Sequence, residues 1–196
     1  MTPPTTERLQ MRTFVACELP GALADALTAV RRAAEDRAWR WVPAGNVHLT
    51  LKFLGEVEAG LLPELKAALE RSALQVRPFE IKLTGLGALP GGRRPPRVLY
   101  AAVAAGDEGL ARLHQAVEAE LKPLGFAADR RRFTPHATLA RVRRGRPREL
   151  PRLLERFAGE SFGRWSCAAL TLFESRLGSG PARYVPLAEV PLGGAS

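Results

Sequence analysis

At 196 residues, 46% hydrophobic and 25% charged, the chain has enough apolar surface for one good core or two small lobes, which argues against overall disorder. Its net charge of +9 is carried mostly by Arg, with Lys only at Lys52, Lys66, Lys82 and Lys122; such a balance suits a polyanion such as RNA, although genome composition produces the same bias. No stretch approaches the length that spans a membrane, and Met1 to Gln10 holds no apolar targeting core.

Residues 1–10 are expected to be a flexible leader, with residues 11–196 forming one folded unit. Thr13 to Leu19 reads as a first strand. Pro20 opens a helix with Leu23, Leu27, Val30 and Ala34 at helical spacing. A strand from about Val47 to Leu54 stops at Gly55, and Leu62, Leu65 and Leu69 mark a helix over about 61–74. Phe79 to Leu83 is a short strand, Leu89 to Arg97 a flexible Pro/Gly/Arg loop, and Val98 to Ala104 another strand. Leu110, Leu113, Val117 and Leu121 place a helix over about 107–121. A strand from about Phe133 to Val142 leads through an Arg-rich loop to a short helix near 150–157. Strands near 168–174 and 183–190 close the chain, joined by a Gly178-Ser179-Gly180-Pro181 hairpin turn. Cys17 and Cys167 lie in apolar stretches without metal or redox spacing, as buried reduced thiols of a cytoplasmic protein do.

Strands and helices therefore recur as an approximate internal duplication. Short strands with interspersed helices, and no glycine-rich first turn, predict an α+β fold of two mainly antiparallel lobes. Each lobe carries one copy of a four-residue phrase, His48-Leu49-Thr50-Leu51 and His136-Ala137-Thr138-Leu139. On a strand, His and Thr point to one face while the apolar residues between them anchor the other. Two such strands brought face to face line a cleft with two imidazoles and two hydroxyls. One neutral imidazole can take a proton from water while one protonated imidazole supplies a proton to a leaving alkoxide. The hydroxyls can donate to the non-bridging oxygens of a phosphodiester. No metal ligand set stands beside the histidines at a telling spacing.

The two phrases resemble the paired His-x-Thr-x motifs of the 2H phosphoesterase superfamily, and most closely its RNA 2′,3′-cyclic phosphodiesterase branch, also called 2′-5′ RNA ligase. The resemblance extends to Arg12-Thr13-Phe14-Val15-Ala16, to residues 46–55 and 132–141 around the phrases, and to Leu172–Leu177 and Tyr184–Leu187. It implies a bilobal fold with two mainly antiparallel sheets, outer helices, a central cleft and pseudo-twofold symmetry. It also implies hydrolysis of a terminal 2′,3′-cyclic phosphate on RNA to a 2′-phosphomonoester, without metal or cofactor. By position, His48 resembles the proton donor to the 3′ oxygen and His136 the proton acceptor from water, with Thr50 and Thr138 binding the phosphate. The expected partner is RNA with a cyclic-phosphate end, tRNA fragments included, acted on by a monomer away from any membrane. The rivals are a 2′-5′ ligase of tRNA halves using the same residues, and a non-catalytic RNA-binding module.

Strand parity sorts the remaining candidates. Asn46, Lys52, Thr134 and Ala140 fall on the motif faces, whereas Arg141 does not. Lys52 is a candidate for phosphate charge, against a solvated strand end. Arg130 and Arg132 precede the second phrase and could clamp phosphate or remain a solvated charge run. Parity favours a core role for Phe133 over base stacking, and His114 on its helix has surface or packing duty.

Overall fold

The computed structural model describes residues 10–34, 37–91, 94–145, 147–178 and 180–193. Residues 1–9, nearly all of the expected leader, lie outside the described residues, as does Ser179 of the expected hairpin turn. Residue 10 already belongs to β1 (Gln10–Glu18). There follow α1 (Gly21–Ala33), β2 (Trp39–Trp41), β3 (His48–Glu58), α2 (Leu62–Leu74), β4 (Phe79–Leu89), β5 (Val98–Ala105), α3 (Asp107–Leu121), β6 (His136–Val142), α4 (Leu150–Arg156), β7 (Ser161–Cys167), β8 (Ala169–Arg176) and β9 (Arg183–Pro191).

The apolar run of β1 is buried on both faces. Val15 and Cys17 enter the main core, whereas Phe14 and Ala16 enter a small second cluster with Phe173 and Tyr184. That is why the segment reads as a continuous hydrophobic stretch rather than an alternation. All pairings are antiparallel. The strand order β7-β4-β5-β6-β3-β1-β8-β9, with β2 paired to β6, makes one nine-stranded sheet. The two expected sheets are its halves, β7-β4-β5-β6 and β3-β1-β8-β9, joined between β6 and β3 by the pair Leu49 and Ala137. The fold is thus α+β and bilobal. Beneath the β3 half lie α2 and α3, packed against each other, with Leu65, Leu69, Leu113 and Val117 fully buried in the main core. Among the described residues no helix is long and apolar enough to cross a membrane.

The halves repeat one pairing scheme. Ala16 pairs with Thr50 and Val15 with Lys52, skipping Leu51; Tyr100 pairs with Thr138 and Leu99 with Ala140, skipping Leu139. Each phrase therefore ends in a β-bulge at its final Leu. A bulge reverses the alternation beyond it.

The structure differs from the sequence expectation at several elements. β4 runs on to Leu89, and β2 and β7 are additional. The pattern of β7 hides because Gly163 interrupts it and only Phe162 and Cys167 are buried. β6 begins at His136 rather than Phe133, since Pro135 offers no N–H to a ladder and restricts Thr134 before it.

Candidate active site

The Leu49–Ala137 pair sets the geometry of the phrases. In an antiparallel ladder the neighbours of such a pair also oppose one another, so His48 faces Thr138 and Thr50 faces His136, all on the side away from the core. The two histidines then sit on the diagonal, where residues of a regular ladder lie roughly 7–8 Å apart and their Cβ atoms somewhat closer. Behind them Leu49, Leu51, Ala137 and Leu139 are buried, which anchors both strands. The side chains of His48, Thr50, His136 and Thr138 are all half-buried.

Both rings are held in the same way. His48 Nδ1 lies 2.8 Å from the Asn46 carbonyl and His136 Nδ1 lies 2.7 Å from the Thr134 carbonyl. A carbonyl only accepts, so in both neutral rings the proton is on Nδ1 and the Nε2 lone pair is left for chemistry. His48 Nε2 is 3.0 Å from Thr50 Oγ1, so Thr50 donates to it while the ring is neutral. Asn46, which supplies the carbonyl for His48, donates its own Nδ2–H to the Ala182 carbonyl at 2.5 Å. The β8–β9 connection thereby braces the first motif.

The surroundings of the rings differ. His48 stacks on Phe14 with ring centroids 4.8 Å apart and meets Tyr184 edge-on at 5.2 Å. His136 lies 5.2 Å from Tyr100. Tyr100 in turn lies across Gly87, where a Cβ would come within 2.2 Å of its ring. The His48 pKa falls from 6.5 to about 4, first because burial penalises the cation, then because the charges of Arg141 and His136 oppose it; the Asn46 carbonyl acts in the other direction. Arg141 and His136 therefore act on His48 within one electrostatic site.

Three parity assignments are corrected by the bulges: Lys52 and Ala140 turn into the core, and Arg141 turns out of it. Lys52 is not on the cleft face. The bulge at Leu51 turns it inward, where it is 2% exposed and its ammonium donates to Glu118 and to the Ala127 carbonyl. Lys52 is therefore not a phosphate ligand, contrary to the parity expectation. Arg141 moves the opposite way. Leu139 and Ala140 are both buried, and Arg141 emerges exposed on the His136 face. Its counterpart in the first lobe is Phe53, 63% exposed. The Leu repeated at the same offset in both phrases is the sequence feature that the two bulges share. The aromatic wall of Phe14, Phe173 and Tyr184 has no such local mark, because it depends on strand order.

Arg130, Arg131 and Arg132 are exposed in the segment between Gly125 and β6. Phe133 is half-buried against the core, as parity indicated, and stacks on His114. His114, Glu118 and Asp129 have potential ligand atoms within 4.8 Å of one another, but Lys52 already occupies Glu118, and this group lies on the core side of β3 rather than beside the histidines.

This fold and pair of strands define a family. The chain belongs to the 2′-5′ RNA ligase superfamily, whose family model matches residues 19–178. It is 33% identical over 168 residues to the RNA 2′,3′-cyclic phosphodiesterase of Archaeoglobus fulgidus, covering 85% of this chain and 92% of that protein. To the RNA 2′,3′-cyclic phosphodiesterase of Aeropyrum pernix it is 38% identical over 110 residues, which span 56% of this chain and 60% of that protein. Among solved structures, TT0787 of Thermus thermophilus superimposes with a TM-score of 0.80 at 32% identity, covering 95% of this chain and all of that one.

Proposed function

We propose that the protein is an RNA 2′,3′-cyclic phosphodiesterase that opens the terminal cyclic phosphate to a 2′-phosphomonoester by acid–base catalysis from His48 and His136, without a metal. The observation that carries this reading is the diagonal of two imidazoles across the Leu49–Ala137 joint, each with its Nδ1–H committed to a backbone carbonyl. The shared name of the relatives supports the substrate class.

Phosphorus lies between the rings. His136 Nε2 takes a proton from water as its oxygen attacks phosphorus opposite the 3′ oxygen, and protonated His48 gives its Nε2 proton to that oxygen as the P–O3′ bond breaks. The 2′ ester bond is untouched, which leaves the phosphate on O2′. Thr50 and Thr138 donate to the non-bridging oxygens, where charge accumulates. Arg141 supplies a fixed positive charge at the same face. A bound phosphate anion offsets the repulsion between Arg141 and protonated His48, so the substrate itself raises the His48 pKa from its low value.

Both rings come from one chain, so a monomer suffices. RNA fragments with cyclic-phosphate ends, tRNA fragments among them, are the substrates, and the buried free thiols of Cys17 and Cys167 suit the cytoplasm.

The test is product analysis with a cyclic-phosphate-ended oligonucleotide in the presence of a chelator. Phosphate should remain on O2′ at an undiminished rate. Phosphate on O3′, or a rate lost to the chelator, contradicts the reading. Tight, salt-sensitive RNA binding without turnover would point instead to a binding module. The order of acid and base is tested with a substrate carrying sulfur at the 3′ bridging position, because a thiolate leaves without a proton. His48→Ala should recover on that substrate and His136→Ala should not; the opposite pattern reverses the two roles.

A further inference from the structure

Away from the cleft, α3 carries a polar cluster that touches both motif strands. Lys52, just past the first bulge, donates to Glu118 Oε1 and, at 2.9 Å, to the Ala127 carbonyl. The other Glu118 oxygen accepts the Asp129 backbone N–H at 3.3 Å. One turn earlier on α3, His114 lies flat on Phe133, with ring centroids 4.2 Å apart and planes 11° apart. Phe133 immediately precedes Thr134, whose carbonyl receives the Nδ1–H of His136.

The segment from Ala127 to Pro135 has no helix or strand of its own, and most of it is exposed. An unsupported segment of this kind samples many conformations. Yet it supplies the carbonyl that fixes the tautomer of a working histidine. Stability does not account for the buried ion pair that holds it, since such pairs are commonly no better than apolar isosteres. A cation site does not account for it either, because Lys52 and the Asp129 N–H already take both Glu118 oxygens.

We infer that the Lys52–Glu118 pair, with His114 stacked on Phe133, is a clamp that positions His136 by pinning segment 127–134 to α3. The inference rests on the reading of His136 as one of the two reacting rings. Lys52, Glu118 and His114 are positioning residues and do not touch the substrate. The first motif strand thereby sets the tautomer of the second motif's histidine, a coupling beyond the single backbone pair between β3 and β6.

The experiment compares the wild type with the double variant Lys52→Met/Glu118→Leu, which keeps the buried volume but removes the three hydrogen bonds. It should fold with a Tm near that of the wild type. Its kcat should fall about tenfold or more while KM stays within about threefold, the signature of a misplaced reacting group. The 15N shifts of His136 should show mixed tautomers, whereas His48 keeps its Nδ1–H form. His114→Phe, which preserves the ring stack, should retain kcat, and His114→Ala should lose it. Should the double variant fold poorly, Glu118→Gln leaves one acceptor oxygen for the two donors Lys52 and the Asp129 N–H, and should also lower kcat and mix the His136 tautomers. A wild-type kcat together with a pure Nδ1–H tautomer at His136 in a folded variant overturns the inference. The tautomer readout needs no substrate, so absence of cyclic phosphodiesterase activity in the wild type would count against the proposed function and leave the clamp to be decided by the 15N shifts.

Discussion

Leu49 and Ala137 face each other as the backbone pair that joins the two halves of the sheet, 1% and 0% exposed. Their side chains fill the core directly behind the cleft, so the spacing of the histidines is set by how closely these two residues pack. Ala137→Leu overfills the joint. It should cost about 1–3 kcal/mol of stability and lower kcat by pushing β6 away from β3, as thermal unfolding and steady-state kinetics would record. An unchanged kcat would mean that the joint does not set the spacing.

Arg141 reaches the His136 face through the bulge at Leu139, and its charge is among the causes that hold the His48 pKa down. Arg141→Met should therefore let the His48 pKa rise from about 4 and should raise KM for RNA through loss of a charge-assisted phosphate contact. NMR titration of the imidazole and saturation kinetics measure the two effects. A His48 pKa that does not move would separate Arg141 from the site.

The low His48 pKa also has a stability consequence. The ring ionises at about 4 in the folded protein against an ordinary 6.5, so between those values the unfolded chain binds more protons. Above about 6.5 nothing is lost. As pH falls through the window the native state is progressively destabilised, by up to about 3 kcal/mol. Urea unfolding at pH 7 and at pH 4.5 should show the wild type losing about 2–3 kcal/mol more than His48→Gln. Equal losses would contradict the assignment.

The same group shapes the rate. The acid limb of kcat/KM reports groups of the free enzyme. The profile should show a limb at about 4, where the His48 ring ionises. An acid limb near 6.5 in a folded enzyme would show His48 to be less buried than the fold makes it.

The sequence disclosed the histidines and threonines because strand alternation is local: each phrase puts its polar residues on one face without reference to the rest of the chain. The helices were legible for the same reason, through Leu65 and Leu69 or Leu113 and Val117. Simple parity puts Lys52, Ala140 and Arg141 on the wrong faces because a bulge is a property of the pairing, and nothing in Leu51 or Leu139 alone announces it. The aromatic wall around His48 was invisible for a longer-range reason. Phe14, Phe173 and Tyr184 come from β1, β8 and β9, which only the order of the sheet makes neighbours.

The decisive measurement is single turnover of a 2′,3′-cyclic-phosphate-ended oligonucleotide by His48→Ala and by His136→Ala, each shown to be folded. Loss of one proton-transfer group should slow each variant by about 10²–10⁴-fold. A folded variant of either kind that turns over at the wild-type rate would show that the two rings do not share one phosphorus.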